Sequence, residues 1–162
     1  LERIARNGAQ QIMDKEEVYR QLEKMLAEKS KEWQRAWETL LESNQQEGKG
    51  SAGDKHETGK AMVHQEMELL GRQRQEIDKQ WEEWKRNEPA SLGKTDKIGT
   101  GQLVETTQGW YYIITSWGKL MVEAQTVFII SHGSPLAGQM IGKQAGDIFQ
   151  WQGKGVKILS VT

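Results

Sequence analysis

Two apolar stripes at heptad spacing constrain this chain more than any other feature. Tyr19, Leu22, Leu26, Lys29, Trp33, Ala36 and Leu40 follow one another at intervals of 3, 4, 3, 4, 3 and 4, and only Lys29 is not apolar. Val63, Met67, Leu70, Arg74, Ile77, Trp81 and Trp84 follow at 4, 3, 4, 3, 4 and 3, and only Arg74 is not apolar. Such a seam is the mark of a coiled coil. Between the stripes, Glu47-Gly48-Lys49-Gly50-Ser51-Ala52-Gly53 breaks the helix. The two arms are therefore predicted to fold back antiparallel. In that arrangement facing residue numbers share a constant sum. A sum of 103 gives the layers Tyr19–Trp84, Leu22–Trp81, Leu26–Ile77, Lys29–Arg74, Trp33–Leu70, Ala36–Met67 and Leu40–Val63. Every apolar position then meets another, and the two cations meet each other. Like charges in one layer repel. Both are predicted to snorkel outward to carboxylates such as Glu28, Glu32 or Asp78. Each arm is about 34 residues, so the rod is on the order of 50 Å long at 1.5 Å per residue.

The rest of the chain differs in kind. Residues 1–90 carry 35 of the 45 charged side chains, whereas residues 91–162 carry 11 of the 17 glycines and several β-branched runs. This reads as helices followed by a sheet domain, an α+β class. The expected boundaries are 13–88 for the hairpin, with its tip at about 47–56, 89–98 for a linker beginning at Pro89, and 99–162 for the sheet domain. Residues 1–12 carry no pattern and read as a tag or disordered end before Met13-Asp14-Lys15-Glu16-Glu17. No cysteine is present, which excludes disulfides, thiolate metal sites and cysteine nucleophiles. With no leader or long apolar run in this sequence, a cytoplasmic protein is expected. A net charge of −1 gives no support for a global nucleic-acid-binding surface.

The tip holds the most suggestive chemical pattern. In Gly53-Asp54-Lys55-His56-Glu57 the two carboxylates are three residues apart and can converge. As Asp at an N-cap with Glu three residues on, they form a capping box. As two hard oxygen ligands, they suit Mg²⁺, but two carboxylates do not fill an octahedron. The pair could act on a metal only by completing a site that a partner supplies, and the two readings are compatible. His56 and His64 are eight residues apart, which is not a helical zinc pair. Lys49, Lys55, Lys60, Arg72 and Arg74 put positive charge near the tip and along the second arm, either as a solvated face or as contacts to phosphate.

In the second half, 102–106 and 110–114 read as strands joined around Gln108-Gly109, followed by strands at 119–122 and 126–130. Ser134-Pro135-Leu136 opens a helix with Ser as N-cap and Pro in its first turn, running through Met140 and Ile141. Strands 147–151 and 156–161 close the chain over Gly153-Lys154-Gly155. No phosphate-binding glycine motif occurs, and His132 and Ser134 lack a third triad member.

Ser134-Pro135-Leu136-Ala137-Gly138-Gln139-Met140-Ile141-Gly142-Lys143-Gln144-Ala145-Gly146-Asp147, with the later Ile158-Leu159-Ser160-Val161, resembles the C-terminal signature of bacterial Gre-type transcript cleavage factors. Gly53-Asp54-Lys55-His56-Glu57 matches the G-D-x-x-E that this family carries between its two long helices. The resemblance covers Met13 to Thr162, and Ser51–Met62 looks like a divergent branch associated with Bacteroidota. It implies an antiparallel coiled-coil hairpin followed by an FKBP-like antiparallel sheet domain with one short helix. It further implies a transcription elongation factor that is not itself an enzyme. Ser134, Pro135 and Leu136 would contact the rim of the RNA polymerase secondary channel. The hairpin would enter that channel, and Asp54 and Glu57 would help hold a second catalytic Mg²⁺ beside a backtracked RNA 3′ end. Polymerase would then cleave its own transcript. Lys55, Lys60 and Arg72 would lie near the RNA. The implied factor has no cofactor of its own, takes its Mg²⁺ with polymerase, binds no membrane and is a monomer.

The chain also departs from the family. After Asp54 the family usually has L-S-E-N-A-E/D-Y, where this chain has Lys55-His56-Glu57-Thr58-Gly59-Lys60. An aromatic residue and one acid are gone, and lysines flank the carboxylates. Two alternatives therefore stand beside cleavage stimulation. One is a channel-binding regulator without cleavage. The other is a coiled-coil scaffold or adaptor with a non-catalytic FKBP-like domain.

Overall fold

The computed structural model describes residues 12–47, 49 and 54–162, with the backbone alone at Glu47, Asp54, Lys55 and His56. The expectation of a tag or disordered end at 1–12 lies, except for exposed Ile12, outside the described residues. Two α-helices of 33 residues, α1 (Lys15–Glu47) and α2 (Asp54–Arg86), form the hairpin. A 3₁₀ turn at Pro89–Ser91 follows, where proline fixes φ and cannot extend α2. The strands are β1 (Leu103–Thr106), β2 (Gly109–Ile113), β3 (Gly118–Val122), β4 (Gln125–Ile130), β5 (Ile148–Trp151) and β6 (Lys154–Val161), with the short helix α3 (Pro135–Met140) after β4. The fold class is α+β.

The predicted register of the hairpin is observed. Tyr19 stacks on Trp84 with ring centroids 4.4 Å apart, and the Trp33 indole N–H donates to the Leu70 carbonyl at 2.8 Å. Leu22, Leu26, Leu40, Leu70 and Ile77 are buried, while Ala36 is exposed because a two-helix seam covers a small side chain only from one side. The cationic layer resolves in two ways. Arg74 swings to Asp78 as expected, with Nε to Oδ1 at 3.0 Å, and its guanidinium lies over Trp33. Lys29 departs from the expectation. It goes to no carboxylate but donates to the Gln80 amide oxygen at 2.9 Å, with its ammonium 5.2 Å from the Trp117 ring centroid. Gln80 sits on the other arm, and the sheet domain beside this part of the rod adds the Trp117 ring, which the hairpin sequence does not contain.

The strand order is β3-β4-β2-β1-β6-β5. Four pairings are antiparallel, as expected for the whole sheet, but β2 and β4 are parallel, so the sheet is mixed. The cause is topological. After β2 the chain crosses two strand spacings before laying down β3. It then turns back through Glu123 and Ala124, both at positive φ, and slots β4 into the gap. The crossover is tied down by Ile114 N–H to Ile130 O and Trp117 N–H to Ile129 O. The last hairpin turns at Gln152-Gly153, also at positive φ, one residue before the expected Gly153-Lys154-Gly155, so Lys154 and Gly155 belong to β6.

Both faces of the sheet are covered. Leu103, Tyr112, Ile114, Leu120, Val127 and Ile129 face Val18, Leu22 and Leu26 of α1. Val104, Tyr111, Ile113, Phe149, Val156 and Ile158 pack on the other side with Ala137 and Met140 of α3. This explains the unbroken run Tyr111-Tyr112-Ile113-Ile114, because a strand buried on both faces has no polar side. The hairpin base is thus a layer of the sheet core. Among the described residues, no helix is long and apolar enough to cross a membrane.

Candidate functional site

The observed register puts the start of α2 at the end of the rod remote from the sheet. Glu57 lies 27 residues from Trp84, about 40 Å along the helix. It is exposed and in the first turn, where a carboxylate is favoured by the helix dipole. Asp54 begins the helix. Its side chain and that of Lys55 lie outside the described residues, and so do the capping-box and metal-pair readings that depend on them. Lys60 and Arg72 are exposed on α2. His64 pairs with Glu68 at 3.3 Å, an ordinary contact between residues one turn apart. Among the described residues, no group of three or more His, Asp or Glu is arranged to hold a metal. Of the Asp54–Glu57 pair only the Glu57 side chain is described, and a single carboxylate leaves most of an octahedral Mg²⁺ shell unfilled.

The second candidate surface is the loop entering α3. Ser134 Oγ accepts the Ala137 N–H at 3.1 Å, and Pro135 occupies the first turn. Leu136 is half-buried against the α3-side core, and Pro135 is the exposed member of the three. The remainder of the motif has a structural task. Gly142 and Gly146 take positive φ, and Asp147 Oδ2 accepts the Gln144 N–H at 2.9 Å. Ile98 and Gly142–Lys143 exchange backbone bonds, Ile98 N–H to Lys143 O and Gly142 N–H to Ile98 O, both at 2.8 Å. This stretch therefore builds the corner that presents Ser134, Pro135 and Leu136, and ties it to the end of the linker.

Two concavities lie toward opposite ends of the rod. A groove of about 530 Å³ runs between the arms near the tip, lined by Ala36, Leu40, Gly59, Met62, Val63 and Glu66. A cleft of about 670 Å³ lies at the opposite end, among Met13, Lys15, Pro89, Leu92, Gln102 and Thr162. Burial holds the Lys15 ammonium below its ordinary pKa there.

A buried polar cluster joins the hairpin to the β2–β3 crossover, and the sequence reading missed it. Gln80, only 2% exposed, donates to the Ser116 carbonyl at 2.6 Å while receiving the Lys29 ammonium. One turn on, the Glu83 carboxylate accepts the hydroxyl of fully buried Thr115 at 2.6 Å. The one signal in the sequence was a lysine interrupting the seam. Its partners lie 51 and 88 residues away, beyond the reach of any local pattern.

No known protein-family model matches the chain, and no curated protein matches it. Among solved structures, the chain is similar to the transcription factor Gfh1 at 17% identity and a TM-score of 0.32, covering 90% of this chain and 93% of that one. It is similar to Thermus aquaticus Gfh1 at 22% identity and a TM-score of 0.34, covering 90% and 94%. Values this low transfer no role to this chain.

Proposed function

We propose that this chain is a Gre-type transcription elongation factor that binds RNA polymerase, inserts its hairpin into the secondary channel and stimulates cleavage of backtracked RNA. One observation carries the reading: a single chain folded into an antiparallel rod with Glu57 exposed about 40 Å from a sheet base that bears the Gre-like Ser134–Asp147 corner. In this role Pro135, with Ser134 and Leu136, contacts the channel rim. Asp54 and Glu57 would donate oxygens to a Mg²⁺ that polymerase brings, and such an ion would supply charge stabilisation in a two-metal displacement. Lys55, Lys60 and Arg72 lie near the RNA 3′ end. The factor is not an enzyme by itself, and it acts as a cytoplasmic monomer.

The exposed Lys60, close to Glu57 in sequence, favours a second reading. A cation beside the carboxylate weakens its hold on Mg²⁺, which suits a regulator that occupies the channel without stimulating cleavage. Stalled elongation complexes with Mg²⁺ decide between the two. Short 3′ RNA products that disappear with Asp54→Ala plus Glu57→Ala support cleavage stimulation. Polymerase binding and altered elongation that survive the double substitution support occupancy alone. No binding to polymerase under either condition sinks both.

A further inference from the structure

The geometry points to Gln80 and Lys29 as positioning residues that fix the bearing of the rod on the sheet, so that the tip is held on one line rather than swinging. The inference rests on the proposed function for its purpose but not for its physics.

Three consecutive residues of the β2–β3 crossover are each held by a hairpin side chain. Glu83 accepts from the Thr115 hydroxyl, the Gln80 amide donates to the Ser116 carbonyl, and the Lys29 ammonium lies over the Trp117 ring. Gln80 is the keystone, because its amide oxygen also accepts from Lys29 and ties both arms to the same strut. The apolar contacts of Val18, Leu22 and Leu26 on the sheet are non-directional and tolerate rocking. Hydrogen bonds do not, since they weaken steeply beyond a few tenths of an ångström or with misalignment. Breaking this strut would leave a buried amide unpaired.

The lever makes this matter. Glu57 lies 23 residues beyond Gln80, about 35 Å, so a tilt of about 10° at the base would move the tip by about 6 Å. That displacement is far larger than any metal-ligand or hydrogen-bond tolerance. The charged interruption of the seam at Lys29 therefore does more than set the register: it takes one member of the layer out of the rod to brace it.

The chain lacks cysteine, so paired spin labels can be placed cleanly at Gln65→Cys and Lys154→Cys, both exposed sites, and their separation read by pulsed electron resonance. The parent should give one narrow distance distribution. Gln80→Leu and, separately, Lys29→Met should broaden it or add a second population while helix content is kept. Lys29→Arg should restore the narrow form. A broad or bimodal parent overturns the proposal, as does a narrow distribution in a folded Lys29→Met. If Gln80→Leu does not fold, Lys29→Met and the parent still decide. With polymerase, Lys29→Met should keep binding close to the parent while tip-dependent transcript effects fall by up to about 100-fold, the scale of an ångström-sized misplacement. The spin-label experiment needs no polymerase, so its outcome is independent of the functional reading.

Discussion

Tyr19 and Trp84 hold each other in both directions. The Tyr19 hydroxyl donates to the Trp84 carbonyl at 2.9 Å, the Trp84 indole N–H donates to the Tyr19 carbonyl at 3.2 Å, and the rings stack at 12°. Side chain caps backbone on each arm, and the closed loop sets the antiparallel register at the base of the rod. Trp84→Ala removes the stack and one bond, and should cost about 3–5 kcal/mol in denaturant unfolding. Tyr19→Phe keeps the stack and should cost about 1 kcal/mol. Equal costs for the two would show that the ring contact contributes nothing.

Tyr112 tests the opposite case. It is fully buried, and its hydroxyl has no hydrogen-bond partner among the described residues. Removing an unsatisfied polar atom from a core should not destabilise. Tyr112→Phe is expected to leave the melting temperature unchanged or raise it. A loss of more than about 1 kcal/mol would reveal a partner, such as an internal water.

The same tyrosines predict an alkaline limit. Burial, with the Glu88 and Glu23 charges adding to it, pushes the Tyr19 phenol up to about 12, and burial followed by Tyr19 raises Tyr112. The fold favours the neutral phenols, while in the unfolded chain they ionise near pH 10. Their contribution is whole below about pH 10 and is lost as pH rises through about 12. Melting temperature should fall across that window, and the Tyr19→Phe, Tyr112→Phe double variant should fall less. Identical curves would rule the two phenols out as the cause.

Gly101 and Gly118 separate strain from collision. Both have positive φ, +85° and +106°. A Cβ at Gly101 would overlap the Leu92 side chain, whereas one at Gly118 meets nothing within 4 Å. Gly118→Ala should cost about 1 kcal/mol from backbone strain alone. Gly101→Ala should cost more, and Leu92→Ala in the same chain should recover part of the difference. If Leu92→Ala recovers nothing, the close approach is not the reason for glycine there.

Much of this molecule was legible in its sequence because the informative contacts are local or periodic. The seam could be numbered layer by layer, and the ends of the strands fell near glycines and the Ser134–Pro135 cap. What was not legible depends on a third element. Lys29 looked like half of a repulsive layer until Trp117 and Gln80 stood beside it. Trp110–Ile113 announced a strand, but not that α1 would cover one face and α3 the other. The sequence marks strands at 110–114, 119–122 and 126–130 in turn, but not that the chain leaves a slot between the first two for the third. At the tip, the sequence names Asp54 and Glu57, and the structure adds the exposure of Glu57 and its distance from the base.

That slot has a bearing on how the molecule is made. β4 sits between two strands that precede it in the chain, so the sheet cannot zip up neighbour by neighbour as it leaves the ribosome. Until Gln125–Ile130 arrives, Trp110–Ile113 presents a bare edge of backbone and Gly118–Val122 has nothing to pair with. An unpaired apolar edge of this kind recruits other chains. Synthesis halted just short of β4 would thus leave the form of this protein most prone to aggregate.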